Sequence, residues 1–131
     1  MSENKVMKGI NCIYLPVTNI EESTSWYQRI LRLERMNDIT SESTQAQFRI
    51  TPDQSIFLIK TAEKVNLTYT EIDGNEQCIL TLAVSNIREL YEEIKAMESD
   101  ISSIEDNGAC GLSFYVKDPD GNKIELWGGW A

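Results

Sequence analysis

Val17-Thr18-Asn19-Ile20 and Val84-Ser85-Asn86-Ile87 are nearly the same four residues, 67 positions apart. At the same spacing Ile13 meets Leu80, Leu15 meets Leu82, and Pro52-Asp53 meets Pro119-Asp120. Separated matches at one offset of about half the chain mark a duplicated supersecondary unit. Each copy opens with an apolar run of strand length, Ile10 to Val17 and Cys78 to Val84. A helix is predicted after each. Asn19 and Asn86 stand where a side chain caps the free amides of a first turn. Glu22 and Glu89 follow three residues on, facing the positive end of each helix. Ile20, Ser23, Tyr27, Ile30 and Leu31 share one face of the first helix. Ile87, Leu90, Tyr91, Ile94 and Met97 share one face of the second, and both stripes read as core.

Three strands are predicted after each helix. In the first copy they span about 34–39, 45–51 and 55–61, with Ala46, Phe48 and Ile50 in alternation. In the second they span about 101–105, 112–117 and 123–127. Asp118-Pro119-Asp120-Gly121-Asn122 is a hairpin turn: the proline pre-sets one backbone angle, and Gly121 or Asn122 takes the positive φ. Residues 62–76, with Asp73-Gly74-Asn75, connect the copies. The expectation is a single domain over 1–131, with module one at about 8–61 and module two at about 77–128. Each half reads strand–helix–strand–strand–strand. One helix covers one face of its sheet, so two curved mixed sheets pair in an α+β fold and leave a cleft.

The chain has 131 residues, with 12 Lys and Arg against 21 Asp and Glu, for a net charge of −9. That balance argues against nucleic acid, which is held by clustered Lys and Arg, and against an anionic membrane surface. No run approaches the roughly 20 apolar residues of a membrane helix, and the first residues lack the apolar core of a signal peptide. There is no histidine, which removes every Ser–His or Cys–His device and the commonest transition-metal ligand. Cys12, Cys78 and Cys110 are odd in number and widely spaced, which is no disulfide framework and no zinc pattern, so they read as small buried residues in a reducing cytoplasm.

Two longer stretches carry a resemblance. Residues 14–27, from Tyr14 through Pro16, Val17 and Asn19 to Trp26 and Tyr27, resemble the opening strand and helix of the vicinal-oxygen-chelate superfamily. Ser23 and Tyr27 stand at its usual Ser and Tyr. Residues 114–126, from Phe114 through Asp118-Pro119-Asp120-Gly121-Asn122 to Ile124-Glu125-Leu126, resemble its closing hairpin. The superfamily includes glyoxalase I, extradiol dioxygenases, fosfomycin-resistance enzymes and bleomycin-resistance proteins. The resemblance implies two βαβββ modules and a homodimer, with modules paired within a chain or exchanged between chains. Function follows less directly, because one fold hosts many sites.

The resemblance also implies four metal-ligand positions, one on the first and one on the last strand of each module. They fall here on Cys12, Ile79, Glu125, and either Leu58 at the strict offset or Phe57 if the first turn is one residue shorter. Only Glu125 is an unmodified family ligand. Ile79 coordinates nothing, and one carboxylate does not satisfy a hard cation. Cys12 with Glu125 falls short of the usual zinc set. No metal and no other cofactor is therefore expected.

Without a metal, Glu125 reads as a carboxylate facing an apolar cleft, able to pair with a ligand cation or to act as a general base. Trp127 lies two residues on, on the same face of a regular strand, where it can stack on a flat or cationic ligand. Cys12, Phe57, Ile79, Phe48 and Tyr115 are the remaining expected lining residues, with Tyr14 a further candidate. Trp26 reads as core or interface, and Trp130 as mobile or covering a dimer partner. The sequence thus favours a metal-independent protein that binds a small aromatic or cationic, antibiotic-like molecule, as bleomycin-resistance proteins do. The alternatives are a lyase, isomerase or dioxygenase with an altered metal site, and a regulatory domain with a vestigial cleft.

Overall fold

Ala46, Phe48, Ile56 and Leu58 point to one side of two neighbouring strands and are fully buried, and Phe114, Val116, Ile124 and Leu126 do the same later in the chain. These two period-2 stripes define two sheets, each with one face turned to a common core. The computed structural model describes residues 6–65, 67–98 and 100–131. The stretch read for a signal peptide lies partly outside them.

The first module is β1 (Cys12–Val17), α1 (Ile20–Arg29), β2 (Glu34–Arg35), β3 (Gln45–Thr51) and β4 (Gln54–Lys60). A small hairpin follows, β5 (Tyr69–Thr70) and β6 (Glu76–Gln77). The second module is β7 (Leu80–Ala83), α2 (Ile87–Met97), β8 (Glu105–Asp106), β9 (Leu112–Lys117) and β10 (Lys123–Trp127). The sheet orders are β1-β4-β3-β2 and β7-β10-β9-β8, so the duplication read from the sequence is a duplication of topology. In each sheet the first strand runs parallel to the last, and the other pairs are antiparallel. The sheets are open, not closed into a barrel.

Several local expectations need correcting. Asn19 caps α1 as expected, its side chain accepting from the Glu22 amide at 3.0 Å. Asn86 does not cap α2 with its side chain: it sits at φ +51, ψ +53, outside the extended backbone that a capping side chain uses. The strand expected at 34–39 stops at Arg35, because the Asn37 side chain takes the Gln47 amide in place of a strand carbonyl. The strand expected at 101–105 is reduced to a bridge from Ile101 to Val116, with the Ser102 hydroxyl taking the Tyr115 amide, and pairing resumes at Glu105. The connector carries the β5–β6 hairpin, which the sequence reading lacked. In the closing turn it is Gly121, at φ +86, that supplies the positive angle. Of the cysteines expected to be buried, Cys78 is, but Cys110 is exposed.

The modules are tied by the Asp118–Asn122 turn. Asp118 is buried, and its carboxylate accepts from the Tyr27 hydroxyl at 2.7 Å, from Asn122 Nδ2 at 2.8 Å, and from the amides of Asp120 and Asn122. Burial lifts this carboxyl above its usual value, and the bonds from Asn122 and Tyr27 pull it partly back. Asp120 grips the Thr18 amide and hydroxyl, the latter at 2.6 Å. Asn122 Nδ2 also donates to the Pro16 carbonyl. Trp26 Nε1 reaches Glu98, and Arg32 pairs with Glu93, so the helices are bridged as well.

The closing turn sets an expectation for stability. Tyr27→Phe removes one hydrogen bond to a buried charge and should cost about 1.5–3 kcal/mol. Asp118→Ala strands several donors at once and should cost more, about 3 kcal/mol or above. Urea unfolding of the two variants measures this, and equal costs would mean that the Tyr27 bond is the carboxylate's whole contribution.

Candidate functional site

The face of each sheet turned away from the core carries the alternate residues, and strand register sets them in rows. On the first sheet Tyr14, Phe57 and Gln47 stand side by side, and next to them Cys12, Ser55 and Arg49. On the second sheet the matching row is Thr81, Glu125 and Tyr115. Phe57 and Glu125 are therefore equivalent, 68 positions apart. The two hairpins are equally long, both of their strands being offset by 68; the first module is one residue shorter between α1 and β3, and Leu58 is fully buried in the core.

Between the edge strands β1 and β7 runs a groove of about 410 Å³. Its walls are mainly apolar: Ile10, Ile13, Ile50, Ile79, Leu80 and Leu82, with Cys12 and Thr81 among the polar members. Cys12 and Ile79, predicted as lining residues from opposite halves of the chain, are brought together here. Glu125 does not line the groove. Its Oε1 accepts from the Thr81 hydroxyl at 2.7 Å, one strand behind the groove wall.

Around Glu125 the charges are local. The Lys123 ammonium lies 4.2 Å from the Tyr115 ring centroid and 3.4 Å from a Glu76 oxygen. Burial first, and then the Glu125 charge, push the Tyr115 phenol up to about 12. The same two causes in the same order raise the Cys78 thiol. On the first sheet the Tyr14 ring stacks on Phe57 at 5.4 Å, and its phenol is raised chiefly by a hydrogen bond with Cys12.

Besides Glu125, four predicted lining residues do not line the groove: Phe57 and Tyr115 lie in the outward rows, and Phe48 and Trp127 are turned to other uses. Phe48 is fully buried and packs against the Tyr27 ring at 5.9 Å, because its place in β3 points it to the core. Trp127 shares the Glu125 face, but its Nε1 donates to the Cys110 carbonyl at 2.7 Å and its ring meets Trp130 edge-on at 4.9 Å. The tail holds it there by crossing Gly111, where an added Cβ would fall 1.9 Å from the Gly129 carbonyl oxygen. Thr81, Gln47 and Arg49 were missed. Their signal is cross-strand register with Glu125, Phe57 and Ser55, which depends on the unequal lengths of the α1–β3 and α2–β9 connections.

The model of the Glyoxalase/Bleomycin resistance protein/Dioxygenase superfamily matches residues 9–126. The chain belongs to this superfamily. No curated protein matches it. Among solved structures it is similar to TnmS3, an antibiotic-binding protein from Streptomyces sp. CB03234, at 15% identity over 96% of this chain and 99% of that one, with a TM-score of 0.73. It is also similar to the fosfomycin resistance protein FosX from Listeria monocytogenes, at 21% identity over 95% and 94%, TM-score 0.71. A third is the lactoylglutathione lyase of Agrobacterium tumefaciens, at 16% identity over 95% and 96%, TM-score 0.71. At these identities the likeness establishes the fold.

The positions at which the resemblance implies a metal are Cys12, Phe57, Ile79 and Glu125, and the residues present there do not fit a divalent metal. Two of them are hydrocarbons, and one Glu125 oxygen is already taken by Thr81. Among the described residues, no three His, Cys, Asp or Glu side chains are grouped so as to hold an ion.

The second-sheet row makes a spectroscopic prediction. Because its folded value is raised, a neutral Tyr115 favours the fold up to about pH 10, and that gain is lost as pH rises toward about 12. Glu125→Gln removes one cause and should move the Tyr115 titration down toward 10. Tyrosinate absorbance, assigned with Tyr115→Phe, follows it, and an unmoved curve would show that burial alone holds the phenol.

Proposed function

We propose that this chain is a small-molecule binding protein that holds its ligand in the β1–β7 groove by affinity, without a metal and without chemistry. The observation that carries this reading is the groove itself, an apolar slot of about 410 Å³ with few polar groups, the usual composition of a ligand site. Neither its thiol, Cys12, nor its hydroxyls, Thr51, Ser55 and Thr81, have a histidine to activate them anywhere in the chain. Glu125, behind Thr81, gives the second-module wall a negative charge and favours an aromatic ligand with a cationic group. Antibiotic-binding and fosfomycin-resistance proteins on the same fold support a ligand of antibiotic type.

Titration calorimetry with 9-aminoacridine, a planar cation, tests the reading. Saturable binding is expected, weakened about tenfold in Glu125→Gln by the lost ion pair. The second reading is an enzyme with an altered metal site, favoured by Glu125 at the family position. Stoichiometric divalent metal in the purified protein, lost on Glu125→Gln, would replace the first reading with the second.

The same proposal includes a homodimer in a reducing cytoplasm, supported by three free cysteines and by an apolar patch beside the groove. Ile10, Tyr14 and Ile79 are 75%, 62% and 54% exposed. Sedimentation should give twice the chain mass, and Ile79→Lys should return it toward one chain. A wild-type chain that sediments as a monomer at micromolar concentration would remove the dimer from the proposal.

A further inference from the structure

A second and larger basin, of about 940 Å³, opens on the outward face of the first sheet. It adjoins the groove, sharing Ile10, Asn11, Thr51, Gln54 and Ser55 with it. Its chemistry is different. Arg49 and Lys8 both line it, and neither forms an ion pair with any described residue. Asp53 is the one carboxylate among the lining residues. Glu34 stands opposite Arg49 in register, so the charges around the basin balance; what the basin offers an anion is a guanidinium whose donors no described carboxylate takes.

The floor is built to receive a flat group. Phe57 lines the basin and is stacked on Tyr14, so it presents a fixed aromatic surface. Arg49 stands beside Ser55 in register, and Gln47 beside Phe57. The Gln47 Nε2 donates to the Ser55 hydroxyl at 3.2 Å, which orients both groups next to the guanidinium. A guanidinium offers paired donors matched to an oxyanion, and Lys8 adds a point charge from the segment leading into β1.

We propose that this basin is an anion-recognising extension of the groove, and that the ligand is a planar aromatic molecule bearing an oxyanion, with Arg49 as the specificity-determining residue. The proposal deepens the binding reading above and rests on it. It makes the charge preference of the first-module wall opposite to that of Glu125. A ligand spanning both walls would carry an oxyanion at one end and a cation or neutral apolar body at the other.

The test uses two anionic probes, 2-naphthoate and 2-naphthyl phosphate, with neutral 2-naphthamide and cationic 9-aminoacridine beside them, all by titration calorimetry on the full chain. Both anions should bind saturably and more tightly than the amide. Arg49→Gln should weaken them about tenfold and leave the amide unchanged. Arg49→Lys should keep most of the anion affinity, and Glu125→Gln should not reduce it. Arg49 is exposed on a sheet face, so these variants should fold, which circular dichroism checks. Anion binding that is unaltered by Arg49→Gln combined with Lys8→Gln overturns the proposal. Binding of 9-aminoacridine alone overturns it as well, and leaves the groove reading standing. Binding of none of the four removes both.

Discussion

The buried Asp118 carboxylate is the constraint on which the arrangement of the modules depends. A charge out of water is costly unless its lone pairs are satisfied, and here two side chains and two backbone amides satisfy them. Tyr27 comes from the first module and the other donors from the second, so the bonds can be complete only when the modules are in one relative position. Asp120 on Thr18 and Asn122 on Pro16 fix the same turn against the end of β1. Apolar burial supplies a common core but is not directional. The hydrogen bonds of this turn supply the direction, and with it the spacing of β1 and β7.

That clasp is one-sided, and its asymmetry accounts for the groove. By the repeat, Ile94 stands where Tyr27 does, and a hydrocarbon donates nothing. Strand register offsets both sides of the Pro52-Asp53 turn by 68, so Ile50 stands at the place of Asp118 and supplies no carboxylate. Gln54 and Ala83 are the counterparts of Asn122 and Pro16. Both line the groove and make no hydrogen bond to each other. The slot thus lies where a symmetrical second clasp would have closed the molecule. Duplication gave two equivalent seams, and divergence at a few residues left one of them open.

Much of this was legible beforehand. The strands at 45–51, 112–117 and 123–127 follow from alternation, both helices from their apolar stripes, and the closing turn from its Pro, Asp and Gly. The site was less legible for a physical reason. In a strand a shift of one residue exchanges the two faces, so the one residue missing between α1 and β3 decides whether Phe57 or Leu58 is the counterpart of Glu125. Phe48 was assigned to the cleft without that register, and the structure buries it. Trp127 lies on the expected face, but a tail crossing at Gly111 and a hydrogen bond to Cys110 turn its ring to another use. Such contacts come from distant segments and leave no periodic trace. Asn86 shows the same limit locally, since a good capping residue does nothing when its backbone is left-handed.

Net charge was the broadest signal in the sequence and the least informative about the site. A total of −9 argues against polyanions as large partners, because their binding sums over many phosphates. It does not set the potential in a concavity, where the nearest two or three groups dominate and screening over about 8–10 Å removes the rest. The two modules illustrate the difference. On the second sheet the central outward row holds Glu125, and on the first the equivalent position is Phe57, with Arg49 in the adjacent row. One half thus carries a carboxylate at this position and the other an aromatic surface beside a guanidinium. Under the proposed reading, unlike groups at equivalent positions give two walls of opposite charge preference, which suits a molecule with two different ends.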